Sequence, residues 1–378
     1  MQDPVDLTKQ LIACDSVTPA TGSVFDCLTA MLAPHGFTVH RWIEGKDAAA
    51  SNEGPVENLL AVRHGPPGSR HFAFAGHLDV VPAGEGWHSG AFEPEVRGNL
   101  LYGRGAVDMK GAIACMVAAL ADIPQEAGTI SLIITGDEEG DATDGTVALL
   151  DWMATNGERM THCLVGEPTC PDTMGQMMKI GRRGSMTAWF TAQGVQGHSA
   201  YPDRAKNPMR ALTTLLSRLP DRIDAGTDHF DASTLQITTI DCGNPATNVI
   251  PATATARLNI RFNPAHTGSG LVRWLSAECE AADASFKGTV RLETAISGEA
   301  FHTPPGDFVA VISRAIESTL GRSPELSTSG GTSDARFIRA LCPVVELGLV
   351  GTTMHKVDEH APVAELRALA DLYEAVID

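Results

Sequence analysis

The stretch that decides the fold is residues 129–140, Thr-Ile-Ser-Leu-Ile-Ile-Thr-Gly-Asp-Glu-Glu-Gly. Its first seven residues form an apolar, β-branched run, which predicts a buried strand. Glu138 and Glu139 follow the run, and adjacent carboxylates at the end of a buried strand repel each other and lose solvation. A chain tolerates that arrangement where a cation lies beside the carboxylates. The alternative is a solvated acidic turn, which the buried strand makes less favourable.

Further candidate ligands lie at other predicted strand or loop ends. They are His77 and Asp79 in Gly-His-Leu-Asp, Asp108 before Met-Lys-Gly, Glu167 in Gly-Glu-Pro-Thr and His355 in Met-His-Lys. Two imidazoles and several carboxylates suit a pair of Zn²⁺ ions with a bridging water. The carboxyl ends of strands in an open α/β sheet converge on one crevice. Together these residues therefore predict a metallohydrolase.

The spacing of the candidates suggests separate roles. His77 and Asp79 stand two apart on an extended segment and point to the same side, so Asp79 can accept a hydrogen bond from the imidazole. Asp108 precedes a predicted helix, where it is either an N-cap or a carboxylate that bridges two metals. Adjacent side chains on an extended segment diverge. We therefore assign Glu139 as a ligand and Glu138 as the general base.

Composition narrows the function class. The 378 residues suffice for two domains, and an apolar fraction of 43% with a mean hydropathy of −0.03 is typical of a soluble globular protein. No run approaches the roughly 20 apolar residues of a membrane span, and no secretory signal is visible. A net charge of −18 argues against nucleic acid as a partner. The eight cysteines contain no Cys-x-x-Cys pair, which favours reduced thiols in a cytoplasmic protein.

The outer parts of the chain alternate helical and strand patterns. Predicted helices cover residues 3–14, 23–33, 109–120, 144–154, 307–319 and 363–376. Predicted strands cover residues 37–42, 58–63, 71–75, 128–135, 163–166 and 344–347. This alternation implies an α/β fold with a mostly parallel sheet covered by helices.

The middle of the chain has a different pattern. Predicted strands at 185–192, 233–240, 253–262 and 289–295, with helices at 207–219 and 269–282, run in the order βαββαβ. That order predicts a small α/β sandwich inserted into the first domain. The candidate ligands lie on both sides of the insertion. We therefore expect residues 1–182 and 297–378 to form one discontinuous catalytic domain around the inserted residues 183–296.

The candidate site residues and their motifs, taken in their order along the chain, resemble those of the M20 metallopeptidase family. The resemblance is greatest to its bacterial succinyl-diaminopimelate desuccinylase branch. The resemblance covers nearly the whole chain. Its most specific parts are Gly-His-Leu-Asp-Val-Val-Pro at 76–82, Gly-Arg-Gly-Ala-Val-Asp-Met-Lys-Gly at 103–111, Gly-Asp-Glu-Glu-Gly at 136–140, Gly-Glu-Pro at 166–168, Gly-His-Ser-Ala-Tyr-Pro at 197–202 and Met-His-Lys-Val-Asp-Glu at 354–359. It implies a zinc-aminopeptidase-like catalytic domain with an inserted ferredoxin-like domain for dimerisation and closure over substrate.

The resemblance also implies a set of roles at the metal centre. His77 and Glu167 would bind one Zn²⁺, Glu139 and His355 the other, and Asp108 would bridge them, with Co²⁺ as a possible substitute. Glu138 would be the base and Asp79 would orient His77. The peptide bond between Asp108 and Met109 would be cis.

Residues of both predicted domains are implied to serve the substrate. In a homodimer, His198 of one subunit would stabilise the oxyanion in the site of the other subunit. The alternative is a surface histidine. The implied substrate contacts are Arg182, Ser185, Tyr201, Asn248, Gly331 and Thr332. A guanidinium such as that of Arg182 suits substrate carboxylates, and the alternative is a surface arginine pair. The N–H groups of the Gly-rich loop at residues 329–333 and the Thr332 hydroxyl would hold another carboxylate, and the alternative there is a plain turn. The chain departs from many desuccinylases at Gly351, where they carry Asn.

The function implied is a reaction with a small-molecule substrate. It is the hydrolysis of N-succinyl-LL-2,6-diaminopimelate to succinate and LL-2,6-diaminopimelate, a step of lysine and diaminopimelate biosynthesis. One alternative is another amidohydrolase of the family, similar to acetylornithine deacetylases or aminoacylases. A second is a non-catalytic metal-binding protein, against which Glu138 argues because a non-ligating carboxylate beside metals serves catalysis better than storage.

Overall fold

The computed structural model describes residues 2–45, 54–121, 123–140, 142–286 and 288–377. The chain divides into two compact units. The first consists of Met1–Ile180, Thr303–Ser327 and Ser333–Asp378, and the second of Gly181–His302 and Thr328–Thr332. Among the described residues, no helix combines the length and the apolarity that crossing a bilayer requires.

The helices and strands of both units are numbered along the chain. The helices are α1 (Pro4–Ile12), α2 (Ser23–Leu32), α3 (Lys110–Leu120), α4 (Thr146–Asn156), α5 (Pro208–Arg218), α6 (Gly268–Phe286), α7 (Asp307–Leu320), α8 (Ala335–Ile338) and α9 (Val363–Ile377). The strands are β1 (Thr38–Glu44), β2 (Val56–Arg63), β3 (His71–His77), β4 (Glu95–Arg97), β5 (Leu100–Tyr102), β6 (Thr129–Thr135), β7 (His162–Val165), β8 (Met177–Lys179), β9 (Gly181–Arg182), β10 (Gly184–Gln193), β11 (Gly197–His198), β12 (Thr234–Asp241), β13 (Val249–Ile250), β14 (Thr253–Phe262), β15 (Thr289–Gly298), β16 (Phe301–His302), β17 (Glu325–Ser327), β18 (Val344–Glu346) and β19 (His360–Pro362).

The main sheet of the first unit has the order β1-β2-β6-β3-β7-β18-β8-β17. Its central strands β6, β3, β7 and β18 are parallel to one another, whereas β1 and β2 join antiparallel at one side and β8 pairs antiparallel with β18 at the other. Strand β6 is buried along nearly its whole length, as its mainly apolar, β-branched sequence predicts for a central strand. The predicted mostly parallel sheet is confirmed.

The register of the central strands aligns their carboxyl ends. His77 at the end of β3 pairs with Thr135 at the end of β6, and Ala75 pairs with Val165 at the end of β7. The residues that follow these strands therefore emerge at the same edge of the sheet. Three of the sequence motifs reach this edge together.

Helix α3 is the centre of the first unit's core. Every residue from Lys110 to Leu120 is buried, and the helix contacts α1 and α9. Small side chains allow this close packing: an added Cβ at Gly111 would lie 2.2 Å from the main-chain oxygen of Ala106. The buried helix thus fixes the position of the chain just before it, where Asp108 lies.

The second unit contains an antiparallel sheet with the order β12-β14-β10-β15. Along β14, Ala254, Ala256, Leu258 and Ile260 are buried and alternate with more exposed residues. The buried face joins one apolar cluster with Leu212 and other residues of α5 and α6. The order β10-α5-β12-β14-α6-β15 confirms the predicted βαββαβ pattern.

Candidate dinuclear metal centre

The first unit gathers the five predicted metal ligands at one edge of its sheet. His77 ends β3, Glu139 follows β6 and Glu167 follows β7. Asp108 directly precedes Met109, which caps α3, and the peptide bond between them is cis, as the resemblance implies. His355 lies far along the chain with a left-handed backbone (φ 62°).

Asp108 stands between the two imidazoles. Its Oδ1 lies 3.2 Å from His77 Nε2, and its Oδ2 lies 3.1 Å from His355 Nε2. The N-cap position of α3 is occupied by Met109 and not by Asp108. Of the two interpretations of Asp108, the geometry therefore favours the carboxylate that faces two cations over the N-cap.

The ligand atoms form two sets that share Asp108. His77, Asp108 and Glu167 offer atoms within 4.8 Å of one another, and so do Asp108, Glu139 and His355. His77 Nε2 lies 3.8 Å from Glu167 Oε1, and His355 Nε2 lies 2.8 Å from Glu139 Oε1. Two sets of nitrogen and oxygen donors around a shared carboxylate make a candidate dinuclear metal site.

The electrostatics of the cluster fit bound cations. Hydrogen bonds to Asp108 and Glu139 raise the pKa of His355 to about 10. Burial opposes charge on His77, yet its hydrogen bonds to Asp108 and Asp79 raise the pKa of that imidazole well above its usual value. The surrounding carboxylates thus stabilise positive charge at the centre. Divalent metals supply such charge, and the donor set is one that they prefer.

Glu138 differs from its neighbour Glu139. Burial raises the pKa of the Glu138 carboxyl well above its usual range, and the charges of Glu167 and Asp334 raise it further. A carboxyl group with a raised pKa is suited to take and return a proton near neutral pH. Its oxygen also lies within 4.8 Å of ligand atoms of His77 and Glu139, so it is beside the predicted metals.

Asp79 makes contacts that its predicted role did not include. His77 Nδ1–H donates to the main-chain oxygen of Asp79 at 2.8 Å, whereas the nearer carboxylate oxygen is 3.5 Å away. The carboxylate itself accepts hydrogen bonds from the main-chain N–H groups of Glu138 (3.2 Å) and Glu139 (2.9 Å). Asp79 therefore holds the acidic loop as well as the imidazole.

Other side chains that support the site were missed by the sequence reasoning. Asp137 is buried and accepts hydrogen bonds from the main-chain N–H groups of Thr143 and Asp144, which shape the loop after Glu139. Asp334 is also buried and accepts a 2.7 Å hydrogen bond from the Thr146 hydroxyl at the start of α4. Asp137 lies within the Gly-Asp-Glu-Glu-Gly motif, but its partners belong to a turn without periodicity. The partner of Asp334, Thr146, is distant along the chain.

The predicted substrate residues belong to the second unit and fall into two groups. Arg182 is buried and its Nη1 donates to the main-chain oxygen of Gly331 at 3.3 Å, beside Thr332 in the Gly-rich loop. His198 is exposed, with its ring centroid 5.7 Å from that of Tyr201.

The remaining residues lie close to these groups in the sequence or by pairing. The main-chain oxygen of Asn248 accepts a hydrogen bond from Ser199 N at 2.9 Å, and strand β11 with His198 pairs with β13. Ser185 is buried near the start of β10. The roles of all six residues and of His198 in substrate binding and catalysis stay predictions.

Comparison with known sequences identifies relatives over the full length. Residues 73–378 match the family described as Peptidase family M20/M25/M40. The chain is 57% identical over 375 residues to the succinyl-diaminopimelate desuccinylase of Novosphingobium aromaticivorans, covering 99% of this chain and 97% of that protein. It is 56% identical over 377 residues to the protein of the same name from Erythrobacter litoralis, covering 100% and 98%.

Solved structures share the fold at lower identity. Aminopeptidase PepT from Bacillus cereus superposes with a TM-score of 0.80 at 21% identity, covering 100% of this chain and 97% of that one. Human carnosine dipeptidase 1 gives a TM-score of 0.72 at 19% identity, covering 99% and 95%. These identities establish the architecture and not the substrate.

Proposed function

The chain belongs to peptidase family M20/M25/M40, and on that premise we propose that it is a succinyl-diaminopimelate desuccinylase. It hydrolyses the amide bond of N-succinyl-LL-2,6-diaminopimelate and releases succinate and LL-2,6-diaminopimelate, a step of diaminopimelate and lysine biosynthesis. The observation that carries the substrate assignment is the high identity to desuccinylases along the whole length of both chains. The gathered ligand cluster supports the hydrolytic chemistry.

The metal centre is proposed to hold two zinc ions, with cobalt as a substitute. His77 and Glu167 would hold one ion, Glu139 and His355 the other, and Asp108 both. When bound, such ions polarise the amide carbonyl and lower the pKa of the attacking water. Imidazole and carboxylate donors suit both metals, so availability decides between them.

Glu138 performs the proton transfers in this proposal. Its carboxylate takes a proton from the attacking water and later gives that proton to the departing amine of diaminopimelate. The position of the Glu138 carboxylate beside the ligand atoms of His77 and Glu139 supports this role. Asp79 keeps Glu138 in place through the main-chain hydrogen bond.

The second unit is proposed to serve substrate binding and assembly. His198 would donate a hydrogen bond to the oxyanion that forms at the amide carbonyl. Arg182 and the Gly-rich loop with Thr332 would bind substrate carboxylates, with Ser185, Tyr201 and Asn248 as further contacts. We also propose a homodimer through residues 183–296 and a cytoplasmic location.

A substrate panel tests the proposal. N-succinyl-diaminopimelate, N-acetylornithine, an N-acetylated amino acid and a dipeptide are offered to equal amounts of metal-loaded enzyme. We expect kcat/KM for the succinyl substrate to exceed the others by at least about tenfold, because a site built for two carboxylates leaves polar groups unpaired with smaller acyl groups. A preference for the acetyl or dipeptide substrates would contradict the assignment.

A further inference from the structure

Glu359 is a buried carboxylate that no step of the reaction uses. Its side chain is 0% exposed. Its Oε1 accepts hydrogen bonds from the main-chain N–H groups of Val107 at 2.8 Å and Asp108 at 3.1 Å. Its Oε2 accepts a 2.6 Å hydrogen bond from Arg104 Nη1, and the Arg104 side chain is also buried. Burying a carboxylate is unfavourable unless hydrogen-bond donors satisfy it, and Val107, Asp108 and Arg104 supply those donors here.

The main chain around Glu359 strengthens the same junction. Gly103 N–H donates to the main-chain oxygen of Glu359 at 3.0 Å, and His360 in β19 pairs with Tyr102 in β5. Arg104 Nη2 also donates to the main-chain oxygen of Ala83 at 3.1 Å. The side chain and backbone of Glu359 therefore join residues 103–108 to the segment that begins at His355.

This junction sets the distance between two metal-binding side chains. The main-chain N–H of Asp108 donates a hydrogen bond to Glu359 Oε1, and His355 lies four residues before Glu359. The two side chains face each other with 3.1 Å between Asp108 Oδ2 and His355 Nε2. A shift of either segment would change the spacing of the donors around both metal sets.

We propose that Glu359 is a positioning residue for the metal centre. Its carboxylate holds the Asp108 main chain against the His355 segment before metal binds, and Arg104 balances its buried charge. The proposal rests on the dinuclear site of the proposed function, but not on the identity of the substrate.

A pair of double variants isolates the hydrogen bonds to the main chain. In Arg104→Met/Glu359→Gln, the amide oxygen still accepts from the Val107 and Asp108 N–H groups. In Arg104→Met/Glu359→Met, the methionine at position 359 has a similar size but cannot accept these hydrogen bonds. Both variants lack the ion pair, so neither leaves a buried charge unpaired, and they differ only in the acceptor.

Glu57→Gln is a matched control. Glu57 is likewise buried, accepts from Gly22 N at 2.6 Å and pairs with Arg41, with 2.6 Å between Arg41 Nη2 and Glu57 Oε1. Its carboxylate holds the start of α2 and makes none of the contacts to residues 103–108. The Glu57→Gln variant therefore shows how the loss of a buried, ion-paired carboxylate elsewhere in the protein affects zinc affinity.

The experiment titrates each metal-free protein with Zn²⁺ in competition with a chelator. We expect the Met double variant to bind zinc about 10–100-fold more weakly than the Gln double variant, the range typical of residues that orient ligands. The Glu57→Gln protein should bind like the wild type. Equal affinities of the two double variants would overturn the proposal.

Amide hydrogen exchange in the wild type covers the case in which the Met variant does not fold. We expect the Val107 and Asp108 amides to be protected already in the metal-free protein, with less than about a tenfold further slowing on zinc loading. Protection that appears only after loading would overturn the proposal. A wild type that binds no zinc would instead refute the proposed function, and the exchange in the metal-free protein would still test the role of Glu359.

Discussion

Asp79 Oδ2 accepts a 2.9 Å hydrogen bond from the main-chain N–H of Glu139. The two residues belong to different motifs, and Asp79 is fully buried after the end of β3. Because its carboxylate also binds the N–H of Glu138, one side chain positions the acidic loop while its main-chain oxygen orients His77. Asp79 therefore connects the ligands of both predicted metals.

Asp79→Asn should weaken metal binding at both predicted zinc positions. The amide retains one acceptor oxygen and presents an NH₂ group to a main-chain donor, so one hydrogen bond to the acidic loop is lost. We expect kcat/KM to fall about 10–100-fold and zinc affinity to decrease, as for other residues that orient metal ligands. Steady-state kinetics and metal titration on the same protein measure the two effects. Unchanged zinc affinity would limit Asp79 to a role in the chemical step.

Glu138→Gln should separate chemistry from metal binding. The variant keeps the size of the side chain but cannot accept the proton of the attacking water. We expect metal content to stay near that of the wild type and kcat to fall about 10²–10⁴-fold, the usual contribution of a general base. Glu139→Gln is the matched comparison and should lose metal as well as activity. Near-normal turnover of metal-loaded Glu138→Gln would contradict the assignment.

His198→Ala should lower turnover more than metal content. The imidazole is exposed in the second unit and is predicted to stabilise the oxyanion, which removal of one donor typically slows about 10²–10³-fold. His229→Ala, another exposed imidazole of that unit, is the control and should keep its activity. A loss of bound metal that parallels the loss of activity would make His198 a structural residue.

Asp224 makes the stability of the second unit depend on pH. Partial burial raises the pKa of this carboxyl, but hydrogen bonds from Ser233 and from Gly226 N, with the nearby His266, lower it below its usual value. The resulting stabilisation is present above the unfolded pKa of about 3.9 and is lost as pH falls through the lower folded value.

Asp224→Asn removes that contribution. The difference in urea midpoint between wild type and variant should therefore be larger near pH 7 than near pH 3, where the unfolded carboxyl is already largely protonated and part of the stabilisation is lost. Denaturation of the metal-free proteins at the two pH values measures it. A difference that does not change with pH would show that the charge on Asp224 adds no stability.

The fold was predictable where apolar runs are long. The run at 129–135 predicted β6 within one residue, and the regular alternation at 253–262 predicted the bounds of β14. Strands such as β8 and β17, three residues each, carry no periodicity to read. They exist because they pair with each other in the completed sheet.

The candidate site was predictable where ligands follow strands, since parallel strands bring their carboxyl ends together. The ion pair of Glu359 with Arg104 was not predicted, because the two residues lie 255 positions apart and the pair depends on burial that the local sequence does not reveal. The hydrogen bonds from the acidic loop to Asp79 likewise depend on main-chain direction at a turn. A buried charge inside a Gly-rich or metal-ligand motif is the signal that indicates such residues.

The most direct test of the dinuclear hydrolase measures bound metal and turnover of N-succinyl-LL-2,6-diaminopimelate in one preparation. After exhaustive chelation, activity should disappear, and it should return in proportion to added Zn²⁺ up to about two equivalents per chain, as expected for two ions around one bridging carboxylate. Full activity in the metal-free protein, or zinc binding that restores none, would contradict the account.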